Sequence, residues 1–522
     1  MNPSSIIAVD KYEILYASAP EWDKENNIAD QKKVIQYLNN ASVQYGNIDL
    51  KININWIEKG KSISSIDFIM PQDEAKLSDI FITTPYGLIK KNRTGVGATT
   101  LELNSPRNSI VVVPTKALAH EKAKNSQIDE SDKYKILYVG SSIDGFTVPT
   151  IEHYLADEDI PYKKFIVVAD SLPRLLSEIG KEHYQNYFLM IDEIDAYQYD
   201  SSYRPTLEDV IDYYFLFPSA QRCLVSATVG SFSNPEIEKE PIINVIFNAA
   251  QPRNIILLHS ENVIETAKKQ IEAILVEHPN DKILVAYNAV TRGILPIIGS
   301  LEQEYQSISA VLCSIKSKPH VEEYYAEIID KHLPKQLTFM TCTYFVGIDI
   351  DEPFHLISIA DTSYPHTLLS EDKLQQIAGR CRVIDGLLSE TVIYNSKDAE
   401  SIVIKEVHQQ IIADTNLLVT YANSITQVKK RFPDIIKPYN DIEQKDIIKH
   451  SSKSYHGTGY VALVREDITN TIKPAFFNID NLLIQLQLLQ TLYASKEALP
   501  QKLNEQGHHV NFQEAEVTNR EL

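Results

Sequence analysis

Eleven short apolar runs constrain this 522-residue chain more than any other feature. In the first half they are "SIVVVPT", "YKILYVG", "KFIVVAD", "YFLMIDE" and "RCLVSAT"; after residue 250 come "RNIILLHS", "KILVAYN", "SAVLCSI", "QLTFMTC", "HLISIAD" and "ETVIYN". Each is a nearly continuous block of Val, Ile, Leu and Phe that ends at polar or small residues. A strand with one wet face alternates apolar and polar residues. An unbroken run suits a strand buried on both faces of a parallel sheet. Helical stretches such as "LPRLLSEIGKEHY", "VIETAKKQIEAILVEH" and "VEEYYAEIIDKHL" separate the runs, so the expected fold class is α/β, with two tandem parallel-sheet domains.

The expected boundaries are residues 81–250 for the first α/β domain and 251–400 for the second. Residues 1–80 read as an α+β accessory region, with a helix in "DQKKVIQYLNNA" and strands in "IDLKININWIEKG". Residues 401–522 read as a mainly helical accessory region that ends in a loose polar tail, "LPQKLNEQGHHVNFQEAEVTNREL".

Composition narrows the function classes. With 43% hydrophobic and 23% charged residues the chain is an ordinary globular one. Its formal net charge of −20 means that any nucleic-acid contact must be a local basic track on an acidic body. Four scattered cysteines form no CxxC pair, which points to a reducing compartment and away from disulfides or structural zinc. No apolar run reaches the ~18 residues of a membrane span. The opening "MNPSSIIAVDKYEILY" lacks a signal-peptide layout. A cytoplasmic protein without membrane contact is the expectation.

Polar chemistry gathers where the buried runs end, the usual ligand edge of an open parallel sheet. "RTGVGATT" offers Gly95, Gly97, Thr99 and Thr100, a phosphate-loop pattern with Ala98 where lysine is usual. "FLMIDEID" supplies Asp192, Glu193 and Asp195; one such carboxylate can hold Mg²⁺ while its neighbour orients water. "LVSAT" follows with Ser226 and Thr228, whose hydroxyls could bond to the acidic cluster. "VPTKALA" puts Thr115 and Lys116 at a helix start. Downstream, "TCTYFVGIDI" carries Thr341, Gly347 and Asp349, and "LQQIAGRCRV" carries Gln375, Gln376, Gly379, Arg380 and Arg382. Each fragment alone also reads as a plain turn, cap or solvated surface.

Their joint order (TGxGxT, VPTKALA, DEID, SAT, TxxxxxGID, QxxGRxR) resembles the motif series of the superfamily 2 helicases. These are DEAD/DEAH-like ATPases with two RecA-like domains. The resemblance covers roughly residues 81–400, about three fifths of the chain. It implies that Gly95, Gly97, Thr99 and Thr100 bind ATP phosphates, with Thr99 and Asp192 on Mg²⁺. Glu193 would activate water, and Ser226 and Thr228 would couple hydrolysis to movement. Thr115, Lys116 and Thr341 would lie near a DNA or RNA backbone, single-stranded and read without regard to sequence. Asp349 would help join the domains at the nucleotide, where Gln376, Arg380 and Arg382 face the triphosphate. A protein partner could engage residues 1–80 or 401–522.

Two departures qualify this. "GRCR" has one residue between its arginines where GRxxR has two, a shortening that suggests a phage or mobile-element relative. Ala98 leaves three readings: substitution by Lys90, Lys91, Arg93 or Lys116; a degenerate site on a hydrolysis-deficient scaffold; or a plain glycine turn. The intact remainder of the series favours a rewired ATPase.

Overall fold

The computed structural model describes residues 14–15, 51–58, 62–70, 75–116, 118–119, 123, 136–141, 150–202, 204–228, 230–247, 252–398, 401–432 and 444–515. The helix expected in "DQKKVIQYLNNA" lies outside them. The chain divides into two compact units, Met1–Ala249 and Ala250–Leu522.

The first unit is built on a ten-stranded sheet. Its strands are β1 (Ile14–Leu15), β2 (Lys51–Glu58), β3 (Ser62–Met70), β4 (Gly87–Lys90), β5 (Ser109–Val113), β6 (Ile136–Val139), β7 (Lys164–Val168), β8 (Phe188–Asp192), β9 (Arg222–Ser226) and β10 (Ile242–Phe247). They lie in the order β1-β2-β3-β10-β4-β9-β8-β5-β7-β6. From β3 to β6 every pairing is parallel; β2 runs antiparallel to β3, and β1 follows β2. Part of the 1–80 region therefore extends this same sheet. All five runs expected as strands here are strands. Val111, Val113, Ile166 and Met190 enter one apolar cluster. Their alternating neighbours Ile110, Val112, Val167 and Ile191 are just as buried, as a sheet covered on both faces requires.

The second unit holds a seven-stranded, all-parallel sheet ordered β13-β14-β12-β15-β16-β11-β21. It comprises β11 (Asn254–His259), β12 (Ile283–Ala286), β13 (Ser309–Leu312), β14 (Leu337–Met340), β15 (Phe354–Ala360) and β16 (Leu387–Tyr394), completed by β21 (His509–Glu514). Leu284 and Ala286 pack into one apolar cluster and Ile283 and Val285 into another, one on each face. Two short hairpins, β17 (Ser452–Lys453) with β18 (Val461–Ala462) and β19 (Val464–Glu466) with β20 (Ile472–Pro474), lie between β16 and β21 in sequence. The helices of that stretch include Ile404–Arg431 and Phe476–Gln490.

Two expectations are corrected. The presumed loose tail instead forms a helix at Ala498–Glu505 and edge strand β21, paired in register with β11 from Asn254↔His509 to His259↔Glu514. "VEEYYAEIIDKHL" is not a long helix. Glu322, Asp330 and Lys331 adopt φ of 44°, 47° and 64°, incompatible with a right-handed helix. Its centre is drawn to the sheet instead, where the Ala326 amide donates to the Val311 carbonyl at 3.2 Å.

Candidate nucleotide site

Three neighbouring strands, β4, β9 and β8, end together. Lys90 stands opposite Ser226, and Asp192 opposite Val225. The ladder continues one step past β4, where the Lys91 amide donates to the Ser226 carbonyl at 2.8 Å. The register of a parallel sheet thus sets Lys91, Ser226 and Asp192 side by side. Immediately after β8 the backbone turns at Glu193, with φ 54° and ψ 48°. A non-glycine residue in that left-handed region costs about 1–2 kcal/mol. The turn ends the strand and opens helix α1 (Ile194–Asp200), which starts with Asp195 in its first turn.

The side chains interlock. Thr99 Oγ1 donates to Asp192 Oδ2 at 2.5 Å. Lys91 Nζ lies 2.9 Å from Glu193 Oε1 and 3.5 Å from Asp192 Oδ1. Asp195 accepts hydrogen bonds from both motif hydroxyls, Ser226 Oγ to Oδ1 and Thr228 Oγ1 to Oδ2 at 2.6 Å. The hydroxyls of "SAT" therefore bond to the acidic cluster through its last carboxylate. Lys91, Asp192, Glu193 and Asp195 are all buried. Burial works against the Lys91 charge, but Asp192, Glu193 and Asp195 outweigh it and hold the ammonium above its usual pKa. Burial raises the Glu193 carboxyl, Lys91 pulls it back down, and the neighbouring aspartates push it up again. Glu193 Oε2 is buried without a hydrogen-bond partner, an atom with room to accept one.

The glycine loop lies between β4 and a helix spanning Ala98–Asn104. Gly95 and Gly97 adopt φ of 73° and 84°, the left-handed turns that need glycine. The loop is held at its outer side by Lys76, whose Nζ donates to the Gly95 carbonyl at 2.9 Å. Ala98 is buried within the apolar cluster. Thr99 is buried and Thr100 exposed, so of the two threonines Thr99 meets the carboxylates.

Thr115 caps the helical turn after β5, its Oγ1 accepting from the Leu118 amide at 3.3 Å, and Lys116 beside it is half-buried. In the second unit Thr341 follows β14 and its amide donates to the Leu312 carbonyl at 3.0 Å. Asp349, Gln376, Arg380 and Arg382 come together. Arg382 Nε meets Asp349 Oδ1 at 2.6 Å. Arg380 turns inward, donating through Nη1 to the Ile348 carbonyl and through Nε to the Gln376 carbonyl, both at 3.0 Å. Lys373 Nζ donates to Gln376 Oε1 at 2.8 Å. Arg382 is the more exposed arginine of the pair. On the same unit His278, Asp281 and His355 put ligand atoms within 4.8 Å of one another, a group able to hold a cation.

Lys91 is one of four candidate cations in the sequence, with nothing there to select it. Lys76 carried no signal at all; its role comes from a contact nineteen residues along the chain.

No protein-family model and no curated protein matches the chain. Among solved structures it is similar to the DEAD-box helicase Mss116 bound to ssRNA and UDP-BeF, at 14% identity and a TM-score of 0.43, over 67% of this chain and 80% of that one. It is also similar to Mss116p, with its NTE and C-tail deleted, bound to ssRNA and AMP-PNP (13%, TM-score 0.42, 83% and 89%). S. cerevisiae Dbp5 bound to RNA and ADP BeF3 follows at 12%, TM-score 0.40, 60% and 80%. No helix among the described residues is long and apolar enough to cross a membrane.

Proposed function

We propose that the chain is a helicase-like ATPase that unwinds or moves along DNA or RNA. One observation carries this reading: a cation, a hydroxyl–carboxylate pair, a second carboxylate and a hydroxyl-bonded third carboxylate converge at the ends of three adjoining parallel strands, beside a glycine loop. Open parallel sheets bind ligands at that edge. Thr99 and Asp192 offer the oxygen donors that a hard cation prefers, and with Glu193 Oε2 still unsatisfied alongside, the residues fit Mg²⁺. Bound there, the ion would neutralise charge on the β- and γ-phosphates.

Glu193 then orients a water and takes its proton. The water oxygen bonds to the γ-phosphorus as the bond to the β–γ bridging oxygen breaks, leaving ADP and phosphate. Gly95 and Gly97 let the loop backbone approach the phosphates. Asp195 reports the state of that site to Ser226 and Thr228. Gln376, Arg380, Arg382 and Asp349 contact triphosphate in this reading. Thr115, Lys116 and Thr341 meet the nucleic-acid backbone, with contacts to phosphate and no base readout.

The test is ATP hydrolysis with and without single-stranded DNA and RNA, on the wild type and Glu193→Gln. Wild-type turnover stimulated by one nucleic acid and abolished in the variant supports the reading. A second reading, a hydrolysis-deficient scaffold for a nucleic acid or a partner protein, is favoured by Ala98 and by the engagement of Glu193 with Lys91. A wild type that never hydrolyses ATP selects it.

A further inference from the structure

We propose that Lys91 supplies the phosphate-binding ammonium missing from position 98, so that the site takes nucleoside di- and triphosphates through a lysine on the strand and not on the loop. The inference rests on the nucleotide reading above and concerns how that site is completed.

The geometry makes the assignment by position. Lys91 Nζ sits against Asp192 and Glu193. The other oxygen of Asp192 holds the hydroxyl of Thr99, the residue next to Ala98. One carboxylate therefore separates the ammonium from the start of the loop helix, where a lysine at 98 would stand. Two other cations near the loop make contacts of their own. Arg93 places its guanidinium 5.3 Å from the centre of the Phe247 ring. Lys76 holds the Gly95 carbonyl from the exposed side. Lys90, one residue earlier, is only half-buried, and alternation along the strand sends its side chain to the opposite face.

Carrying a lysine into a buried position is costly unless it meets anions. Here the carboxylates of Asp192 and Glu193 provide them. Arrival of a nucleotide replaces the Glu193 contact by phosphate oxygens, and Glu193 is released toward water in the same step. A single side chain thus links occupation of the site to availability of its base.

The experiment measures binding of a fluorescent ATP analogue, with ATP, ADP and AMP as competitors, in the presence of Mg²⁺. Wild type, Lys91→Gln, Lys91→Gln with Ala98→Lys, Arg93→Gln and Lys76→Gln are compared. A lost hydrogen bond to a charged group corresponds to roughly tenfold to a hundredfold in affinity. Lys91→Gln is expected to lose that factor for ATP and ADP but not for AMP, and Ala98→Lys to restore it. A bracing role would weaken all three nucleotides alike and would not be rescued from position 98, and either result overturns the proposal. So does a loss in Arg93→Gln or Lys76→Gln with Lys91→Gln unchanged. A wild type that binds no nucleotide overturns the nucleotide reading and the proposal together, which separates that failure from the others. Where Lys91→Gln does not fold, the comparison is Glu193→Gln against Lys91→Gln with Glu193→Gln, in which the buried pair is neutral on both sides. The same ATP- and ADP-specific loss is expected, and equal affinities overturn the proposal.

Discussion

Replacing Lys91 by methionine should destabilise the first unit far more than replacing its partner Glu193 by glutamine. Three buried carboxylates, Asp192, Glu193 and Asp195, surround this ammonium. Methionine keeps the apolar stem but leaves the carboxylates uncompensated, and breaking a buried pair in this way costs about 3–5 kcal/mol. Glutamine instead removes one of the three negative charges, preserves the shape and leaves Lys91 beside Asp192. Its cost should stay within about 1 kcal/mol. Hydrogen exchange of the β5, β7 and β8 amides across a urea series follows that unit alone. With slopes of about 2–3 kcal/mol per molar, Lys91→Met should lower the midpoint by about 1–2 M and Glu193→Gln by less than about 0.5 M. The double variant should recover part of the loss, with a coupling of about 1–3 kcal/mol. A Lys91→Met midpoint equal to wild type, or matched losses in the two single variants, would refute the electrostatic account of this cluster.

The first unit also offers a glycine comparison. Gly87→Ala should destabilise it clearly, because a Cβ there would meet the Pro241 carbonyl oxygen at 2.3 Å, whereas Gly97→Ala meets open space and pays only the left-handed backbone cost, about 1–2 kcal/mol; the same urea titration ranks them. Burial lowers the Lys164 pKa to about 8, an effect Glu102 opposes and Arg107 reinforces. The unfolded chain then holds this proton more tightly, so the stability contribution of Lys164 rises with pH between about 8 and 10.5, and the slope should flatten in Lys164→Met. Replacing Ser226 by Ala and Thr228 by Val strips Asp195 of both hydroxyls; if the chain is the proposed helicase-like ATPase, strand displacement should fall more than ATP hydrolysis, which paired assays would show. If phosphates carry nucleic-acid binding, affinity should fall steeply between about 50 and 200 mM salt, by about a factor of ten or more, and a flat titration counts against that contact mode.

Much of this was legible from residue order because the decisive signals were local. Continuous Val and Ile runs name the buried strands, and the polar residues that close them name the ligand edge. The edge strand β21 was not legible. Its sequence "HVNFQE" is polar and half-exposed, and its pairing partner β11 lies some 250 residues away. "VEEYYAEIIDKHL" misleads for the opposite reason: its composition favours helix, but pairing with the β13 edge prevails over propensity. Lys91 was visible only as a cation near the loop. Selecting it needed the register between β4 and β9, a fact of three dimensions that places residue 91 over residues 192 and 193.

The order of strands in the two sheets differs from their order of synthesis, and this sets when each half of the chain can close. In the first unit β10 is the last strand made, yet it lies between β3 and β4. The edge formed by β4, β9 and β8 can assemble once residue 226 has emerged, but the β1–β3 ribbon can dock only after residue 247. In the second unit β11 is made first and covered last, since β21 joins its outer side from residues 509–514. Throughout the intervening elongation the segment "NIILLH" presents an unpaired backbone edge, the template on which strands from other chains add. A nascent chain of this protein therefore carries an aggregation hazard while β11 waits for β21, and pairing with residues 509–514 removes it.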